Sequence, residues 1–344
     1  MYLFHNDYNE ICHPAVLKKM QEMSGLQMDG YGEDACCKAA AERIRALCGR
    51  MDIGVHFLVG GTQANMTVIA AALRPHQAAL GAVSAHINVH ETGAVEATGH
   101  KVLTLDSEDG KITAEQVSQV VEAHWAYVSH DNIAQPKLLY IYHPTEFGTI
   151  YSLQELQEIS QTCKEHGLYL FVDGARLGYA LTAKDGDVTL RDLAELTDVF
   201  YIGGTKVGAM FGEAVVITNP TINEDFRYMI KQRGGMLAKG WLLGIQFAAL
   251  FEDDLYFNIS RHANQMADQV REVLAEKAFP LHVESKTNQI FAVLPDSALE
   301  KLGKEFSYSY WCIMEDQHSV VRFCTSWATK QDNVDLLCDA IRNL

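Results

Sequence analysis

Short apolar runs alternate with amphipathic stretches between about residue 35 and residue 220. The runs are rich in β-branched and aromatic residues, which is typical of buried strands. They comprise residues 55–59, 79–83, 101–105, 138–142, 168–172, 199–202 and 214–218. Between them, segments such as residues 153–165 repeat apolar side chains at helical spacing. This alternation predicts an α/β fold with a mostly parallel sheet that is covered by helices on both faces.

The pattern changes after about residue 235. A long helical stretch with an interruption near Asp254, two strand-like segments and an amphipathic helix follow. These elements are predicted at residues 237–275, 289–294, 320–324 and 332–344. The change predicts three parts of the chain. They are an N-terminal segment (1–14) that joins the small domain, a large cofactor-binding domain (15–236) and a smaller α/β C-terminal domain (237–344).

Composition and charge narrow the range of partners. The 344 residues are 48% hydrophobic and 21% charged, as in an ordinary globular protein. The net charge of −16 disfavours nucleic acid and anionic membranes as partners. The chain starts without a basic, apolar signal segment, and its eight cysteines lack the paired spacing of metal sites. We therefore predict a cytoplasmic protein with reduced thiols and a small-molecule substrate, without a bound metal.

Two polar residues follow apolar strands of the predicted sheet. Asp173 comes directly after residues 168–172, and Lys206 follows residues 199–202 after Gly-Gly-Thr. Carboxyl ends of parallel strands meet at one edge of a sheet, so these side chains should lie close together. A Schiff-base lysine and a carboxylate for a protonated pyridine nitrogen are what a pyridoxal phosphate enzyme requires. Taken singly, Asp173 could be structural and Lys206 could be a solvated loop lysine.

Further candidates surround this pair along the chain. Gly61 and Thr62 open a predicted helix, where backbone N–H groups could converge on a phosphate. Thr205 could donate a hydroxyl to the same phosphate. His86 could stack on a flat ring or transfer protons, or it could simply be a hydrogen-bonded histidine at a strand end. Arg322 suits a substrate carboxylate, although a structural ion pair explains it equally well.

Together and in this order, these residues resemble the low-specificity threonine aldolases. That family belongs to the β-eliminating lyase group of fold type I pyridoxal phosphate enzymes. The resemblance covers nearly the whole chain. It depends on Tyr31-Gly32-Glu33-Asp34, Gly61-Thr62-Gln63-Ala64-Asn65, His86 with Glu91 and Gly93-Ala94, Asp173-Gly174-Ala175-Arg176, Lys206, and Arg322 with a threonine three residues on.

The resemblance implies roles for the cofactor-binding residues. Lys206 corresponds to the Schiff-base lysine and Asp173 to the partner of the pyridine nitrogen. His86 would stack on the ring, and Gly61 with Thr62 would hold the phosphate. The implied fold is the fold type I transferase-like architecture, and the implied cofactor is pyridoxal 5′-phosphate.

The resemblance also implies roles at the substrate end. Arg176 would lie near the phenolic oxygen of the ring or the substrate carboxylate, and Arg322 would bind that carboxylate. Tyr31 would enter the site from a second subunit, because the family builds its sites between the chains of a homodimer or homotetramer.

Three positions depart from the family pattern. Asn6 stands where many members carry a serine that contacts the substrate, so this contact would have to come from Asn6. Glu146 or His143 would replace a histidine that lies close to the substrate hydroxyl. Leu237 occupies the position of an expected arginine, and Lys239 follows two residues later.

The activity implied by the resemblance is cleavage of L-threonine or L-allo-threonine type β-hydroxy amino acids to glycine and an aldehyde. His86, His143 or Glu146 would accept the hydroxyl proton. The alternative is a β-eliminating lyase or amino-acid racemase on the same scaffold, which Glu146 in place of histidine favours. A third hypothesis is a non-catalytic binding or scaffold protein, and the intact pair of Asp173 and Lys206 argues against it.

Overall fold

The computed structural model describes residues 1–314 and 316–344. Its strands are β1 (Tyr2–Leu3), β2 (Gly54–Leu58), β3 (Gln77–Ala82), β4 (Lys101–Leu105), β5 (Gln135–Tyr142), β6 (Tyr169–Asp173), β7 (Val199–Gly203), β8 (Glu213–Ile217), β9 (Gln289–Pro295), β10 (Phe306–Ser307), β11 (Ser309–Ile313) and β12 (His318–Cys324). Its α-helices are α1 (Pro14–Met23), α2 (Ala35–Cys48), α3 (Gly61–Ala72), α4 (His86–Val89), α5 (Ala114–Ala126), α6 (Leu153–His166), α7 (Leu177–Leu181), α8 (Leu190–Leu196), α9 (Pro220–Asn223), α10 (Phe226–Gln232), α11 (Trp241–Leu250), α12 (Leu255–Glu276), α13 (Asp296–Leu302) and α14 (Gln331–Arg342).

The central sheet has the strand order β2-β8-β7-β6-β5-β3-β4. Strands β4, β3, β5, β6 and β7 run parallel to their neighbours in this series, whereas β8 is antiparallel to both β7 and β2. Every residue of β7 and β8 is buried, which explains why β7 and residues 214–217 of β8 form continuous apolar runs. The predicted α/β fold with a mostly parallel sheet is confirmed.

Helix α6 illustrates how local sequence determines one of the helices that cover the central sheet. Ser152 caps its N-terminus and forms a capping box with Glu155, and Gly167 ends it in the left-handed conformation (φ 64°). Leu156 and Ile159 are buried on one face. Capping satisfies the free N–H groups of the first turn, while the apolar face covers the sheet.

The functional edge of the sheet is set by strand direction. Strands β3, β5, β6 and β7 are parallel, and two antiparallel pairings through β8 give β2 the same direction. Their carboxyl ends therefore meet at one edge. Asp173 ends β6 and Lys206 follows β7 there, while Glu213 begins the reversed strand β8 at the same edge.

The C-terminal part forms a second layer with its own core. Strands β11, β12 and β9 form an antiparallel sheet, and β1 pairs in parallel with β10. The core of the central sheet extends as far as Ala263 in α12, and the second core takes over from Met266 and includes Phe4. The two cores therefore meet within α12, and the domain division at residue 236 stays a prediction.

The long helical stretch is interrupted where the sequence indicates. Helices α11 and α12 are separated at Asp253 and Asp254, which adopt left-handed backbone angles (φ 49° and 55°). Across residues 1–314 and 316–344, no helix combines the length and the apolar character that crossing a membrane requires.

Candidate active site

A cavity of about 360 Å³ opens at the carboxyl edge of the central sheet. Six of the predicted site residues line it, namely Gly61, Thr62, His86, Asp173, Thr205 and Lys206. Tyr8, Tyr142, Tyr201 and Glu213 contribute further polar groups to its wall. The sequence argument that Asp173 and Lys206 share one site therefore agrees with their placement. The volume suits a small-molecule ligand.

Glycines allow a close approach of the loops that follow β6 and β7, next to Asp173 and Lys206. A Cβ atom at Gly174 would overlap the carbonyl oxygen of Tyr201, and one at Gly203 would overlap that of Ala175. The segments after β6 and β7 are thus in direct backbone contact. Only glycine permits this approach, and it fixes Asp173 and the turn that leads to Lys206 against each other.

Asp173 is fully buried and accepts several hydrogen bonds. Its Oδ2 accepts from the Tyr140 hydroxyl and from Asn65 Nδ2 (3.0 Å), and its Oδ1 accepts from the Ala175 amide (3.0 Å). Burial raises the pKa of Asp173, although the hydroxyls of Tyr140 and Tyr201 and the Ala175 amide oppose that shift. A buried carboxylate gains most from a cationic partner, so a protonated ring nitrogen in the cavity would relieve the burial cost.

His86 is oriented by Glu91. Its Nδ1 lies 2.7 Å from Glu91 Oε1, which also accepts a hydrogen bond from Asn65 Nδ2 (2.7 Å). Asn65 therefore links the carboxylates of Glu91 and Asp173. Burial disfavours the imidazolium, but the Glu91 hydrogen bond and nearby carboxylates raise the pKa of His86 above its usual value. These contacts hold the imidazole ring in one orientation at the cavity wall.

Lys206 has a lowered pKa. Burial and the nearby Arg176 guanidinium disfavour its charged form, whereas the carboxylates of Asp7, Glu146 and Asp173 oppose the shift. A lysine with a lowered pKa is more often uncharged at neutral pH. That is the form in which its amine acts as a nucleophile.

Thr205, predicted to donate its hydroxyl to the phosphate, lines the cavity and bonds to neighbouring protein groups. Its hydroxyl donates to Glu213 Oε1 (2.9 Å) and accepts from the Gly212 amide (3.0 Å). The single hydroxyl proton is therefore donated to the Glu213 carboxyl group. Glu213 was absent from the predicted set, because the sequence pattern placed the start of this strand at Ala214.

Arg176 forms a buried, bidentate ion pair with Asp7. Its Nε and Nη2 donate to the two Asp7 oxygens at 2.7 and 3.0 Å, and Asn288 Nδ2 donates to Asp7 Oδ2 (2.9 Å). Burial alone would raise the pKa of Asp7, but Arg176 and Lys206 lower it to about 2. The remaining Arg176 donor, Nη1, lies 3.4 Å from the Tyr142 hydroxyl. Most of this guanidinium, predicted to face the ring or the substrate, is thus occupied by the protein itself.

The sequence analysis gave a site role to Asn6 but none to its neighbour Asp7. Asn6 Oδ1 accepts from the Tyr8 amide (3.0 Å), and its carbonyl accepts from Asn9 Nδ2 (3.2 Å). Asn6 therefore shapes a turn, and that turn brings Tyr8 to the cavity and buries Asp7. The family pattern Ser-Asp-Thr carries an aspartate at the position of Asp7, and this match is the signal that could have identified it.

Arg322 retains free hydrogen-bonding capacity. Nη1 donates to Gln289 Oε1 (3.1 Å), and Nη2 donates to the His5 carbonyl (3.4 Å). The guanidinium carbon lies 5.9 Å from the centre of the Trp311 ring. Its Nε is buried and has no partner among the described residues. An unpaired buried donor on an arginine fits a carboxylate ligand.

The structure separates the two candidates for the substituted histidine. Glu146 is buried, and its Oε1 has no hydrogen-bond partner within residues 1–314 and 316–344. It is close enough to His86 to raise the pKa of that histidine. Neither Glu146 nor His143 lines the Lys206 cavity. His143 is buried, its Nδ1 accepts from the Tyr151 amide (3.3 Å), and burial lowers its pKa to about 4.

Tyr31 lies away from Lys206 in the same chain. Its side chain is 49% exposed, and the Lys231 ammonium lies 5.0 Å from its ring centre. It lines two other cavities, of about 230 and 670 Å³. Leu237 borders the smaller of these. A contribution of Tyr31 to a neighbouring subunit stays a prediction.

The residues at the cavity fit pyridoxal phosphate. Helix α3 begins at Gly61 without a side-chain cap, so its first amides are free to bind a phosphate at the positive end of the helix dipole. Asp173 would hold the ring nitrogen, Lys206 the aldehyde carbon and His86 the ring face. Gly61 and Thr62 would hold the phosphate.

The fold and this cavity define a fold type I pyridoxal-phosphate-dependent enzyme. The chain belongs to the β-eliminating lyase family, whose sequence profile matches residues 12–297. It is similar to the low specificity L-threonine aldolase of Pseudomonas aeruginosa, with 31% identity over 98% of this chain and 96% of the relative. The corresponding enzyme of another Pseudomonas strain is 32% identical over the same shares. The family resemblance noted in the sequence is confirmed.

Solved structures agree with these relatives. A threonine aldolase structure from Leishmania major superposes with a TM-score of 0.97 at 43% identity, over 100% of this chain and 99% of that one. An aspartate aminotransferase from Thermus thermophilus superposes with a TM-score of 0.73 at 16% identity, over 99% of this chain and 95% of that one. The second likeness concerns the fold alone.

Proposed function

We propose that the protein cleaves L-threonine or L-allo-threonine type β-hydroxy amino acids to glycine and an aldehyde. The observation that carries this proposal is the placement of Asp173 and Lys206 in one cavity at the carboxyl edge of the sheet. The low specificity L-threonine aldolases to which the chain is similar cover nearly its full length. That similarity favours aldol cleavage over the other reactions of the scaffold.

The protein groups have separate tasks in this reaction. Pyridoxal phosphate, when bound, supplies an electron-accepting ring for the electrons of the bond that breaks at the substrate Cα. The Asp173 carboxylate would stabilise a positive charge on the nitrogen of a ring bound at its end of the cavity. Lys206 supplies an uncharged amine, which its lowered pKa makes available. His86, held by Glu91, presents a flat surface of fixed orientation.

Arg322 would bind and orient the substrate. Its buried, unpartnered Nε and the fork geometry of guanidinium suit the α-carboxylate of an amino acid. Fixing that carboxylate determines which bond at Cα stands in the reactive orientation. Arg176 would act indirectly, because its ion pair with Asp7 holds the N-terminal segment against the cavity.

Glu146 is our candidate for the base that accepts the β-hydroxyl proton. Its Oε1 has no partner within the described residues, and it lies near His86. A carboxylate with a free lone pair can accept a proton directly or through one water molecule. His143 is unsuited to this role, because its Nδ1 already accepts a hydrogen bond from the Tyr151 amide.

We propose further that the active unit is a homodimer or homotetramer in which Tyr31 reaches a neighbouring site. Tyr31 is half exposed and lines other cavities than that of its own Lys206, which supports this assembly. Sedimentation gives the oligomeric state. Mixing an inactive Tyr31→Ala variant with an inactive Lys206→Ala variant tests the sharing, because a hybrid assembly would restore one complete site. No recovery in demonstrated hybrids contradicts a shared site.

A cytoplasmic location also remains our proposal. Its support is the state of the cysteines: all eight are free thiols. Such thiols suit a reducing compartment. Cell fractionation with an antibody against the chain would test the location, and recovery in a secreted fraction would contradict it.

Product analysis tests the reaction. The purified protein with pyridoxal phosphate is incubated separately with L-threonine, L-allo-threonine and L-serine. We expect glycine and acetaldehyde in equal amounts from the first two substrates. Release of ammonia with an oxo acid would instead establish a β-eliminating lyase. Conversion to the D-amino acid without cleavage would establish a racemase.

A further inference from the structure

Glu213 is a buried acid beside the reactive lysine, and the mechanism above leaves it without a role. Its side chain lies at the start of β8 and is only 3% exposed. Oε1 accepts from the Thr205 hydroxyl (2.9 Å), and Oε2 accepts from the Gly204 amide (3.1 Å). One carboxyl group therefore binds both residues that directly precede Lys206.

The strand pairing keeps this carboxyl group in place. Glu213 lies opposite Gly203 of β7 on one side and Leu58 of β2 on the other. In addition, the amide of Gly212, the residue before β8, donates to Thr205 Oγ1 (3.0 Å). The turn that carries Lys206 is thus attached to β8 by side-chain and backbone hydrogen bonds together.

The charges around Glu213 link it to the lysine. Burial raises the pKa of Glu213 to about 8, while the Thr205 hydroxyl and the Lys206 charge oppose the increase. Asp173 favours the protonated acid, and Tyr201 and Tyr256 are further titratable groups close to it. Among these groups, the Lys206 ammonium is the one that attracts the carboxylate.

We propose that Glu213 is a positioning residue for Lys206, which fixes the lysine-bearing turn and sets the charge of the amine. This inference rests on the proposed function, because that function gives Lys206 its task. The ionised carboxylate stabilises the ammonium, and the protonated acid does not. The fraction of uncharged amine therefore depends on the state of Glu213.

The direction of the effect follows from these charges. Glu213→Gln keeps the size of the side chain but removes the charge, so the pKa of Lys206 falls. Arg176, Asp7, Glu146 and Asp173, which also act on the charge of Lys206, remain in the variant together with Tyr201 and Tyr256. The difference from the wild type therefore isolates Glu213. Because Glu213 titrates near pH 8, the difference should be small at pH 7 and should grow as the pH rises to about 9. A residue that merely stabilised the fold would give no such pH dependence.

Competitive acetylation of the cofactor-free full chain measures this effect. The acetylation rate of Lys206 is followed by mass spectrometry across the pH range, with exposed lysines as internal references. We expect Lys206 in Glu213→Gln to react up to about tenfold faster than in the wild type around pH 9, which corresponds to about one pKa unit. Coincident curves for two folded proteins would overturn the proposal.

A second pair of variants keeps the proposal testable if Glu213→Gln does not fold. Thr205→Val removes the hydroxyl that favours ionised Glu213, so Lys206 should shift in the same direction by a smaller amount. Thr205→Ser retains the hydroxyl and should match the wild type. Identical pH curves of Lys206 acetylation for Thr205→Val and Thr205→Ser would overturn the proposal. The acetylation experiment uses no substrate, so its outcome does not depend on the product assay. A negative product assay would reject the proposed function without deciding whether Glu213 acts on Lys206.

Discussion

The residues proposed to hold the cofactor, called the cofactor end below, and those proposed to meet the substrate, called the substrate end, are held in different ways. Of the second group, Arg176, Arg322 and Glu146 do not line the cavity of about 360 Å³. At the cofactor end, the hydrogen-bond network of Asp173 comes from the central sheet and the helices next to it, and Asn65 connects it to Glu91. At the substrate end, Asp7 bonds to Arg176, 169 positions along the chain, and to Asn288, 281 positions along. The first region depends on one sheet, and the second depends on segments that only the complete fold brings together.

The two ends also differ in how their key polar atoms are bonded. Both oxygens of Asp173 accept hydrogen bonds, although Asn65 Oδ1 and Glu91 Oε2 near it have no partner among the described residues. Arg322 Nε and Glu146 Oε1 are likewise buried without partners there. Unpaired buried groups are costly and indicate a place for a ligand. The comparison teaches that the Asp173 carboxylate is preorganised, whereas Arg322 and Glu146 each keep a polar atom free for a ligand.

Replacing the lysine should have the largest effect and affect the cofactor end alone. Lys206→Ala should lower kcat by about three orders of magnitude or more, because no other amine replaces the nucleophile. The visible absorbance of the bound cofactor should also change. Lys301→Ala, at an exposed position of α13, serves as the matched control. Near-normal turnover by Lys206→Ala would contradict its assignment.

Neutralising the carboxylate at the same end should have the next largest effect. Asp173→Asn keeps the shape but removes the charge that stabilises a protonated ring nitrogen. We expect kcat to fall about 100-fold, as for other groups that stabilise developing charge. Steady-state kinetics at saturating cofactor measure the change. A change within a factor of two would show that this charge is not used.

Breaking the ion pair at the substrate end should mainly affect stability. Asp7→Asn leaves Arg176 buried without its carboxylate and should lower the free energy of unfolding by about 3 kcal/mol. Urea unfolding measures this change in the free energy of unfolding. Asp268→Asn, which breaks the more exposed pair with Arg271, should cost less than about 1 kcal/mol.

The pH dependence of this pair has a definite sign. The folded-state pKa of Asp7 is lowered to about 2 from an ordinary value of 3.8. Its contribution to stability is therefore present above pH 4 and is lost as the pH falls towards 2. The difference between wild type and Asp7→Asn should be constant near neutrality and should shrink below pH 4. A difference that persists unchanged at pH 3 would contradict this account.

The smallest of these effects should come from the substrate-binding arginine. Arg322→Gln should raise KM for the amino acid about tenfold, the cost of one hydrogen bond to a charged group, and leave cofactor affinity unchanged. Initial rates over a range of L-threonine concentrations, with a parallel cofactor titration, separate the two. A loss of cofactor affinity with unchanged KM would place Arg322 at the cofactor end instead.

The sequence predicts the cofactor end well for a physical reason. Asp173 and Lys206 each follow an apolar run, and strand direction alone brings such positions together. Tyr142 was recognised only as part of a buried strand, because periodicity does not reveal that its hydroxyl reaches Arg176. Glu213 stands one position before the apolar run at Ala214, where an acid usually belongs to a loop.

The substrate end could not be predicted to the same extent. The ion pair of Asp7 with Arg176 joins the N-terminal segment to the central sheet, and nothing local in either segment specifies the other. The sequence named both Glu146 and His143 as possible replacements for the family's histidine. Burial and hydrogen bonding distinguish them, and both depend on how the chain packs around the end of β5.

The attachment site of the cofactor is the most direct test of the central claim, that the amine at position 206 and the carboxylate at position 173 serve one bound ring. The holoenzyme is reduced with borohydride, digested and mapped by mass spectrometry. The account predicts one phosphopyridoxyl group per chain, on Lys206. A modified lysine elsewhere in the chain, with Lys206 unlabelled, would contradict it.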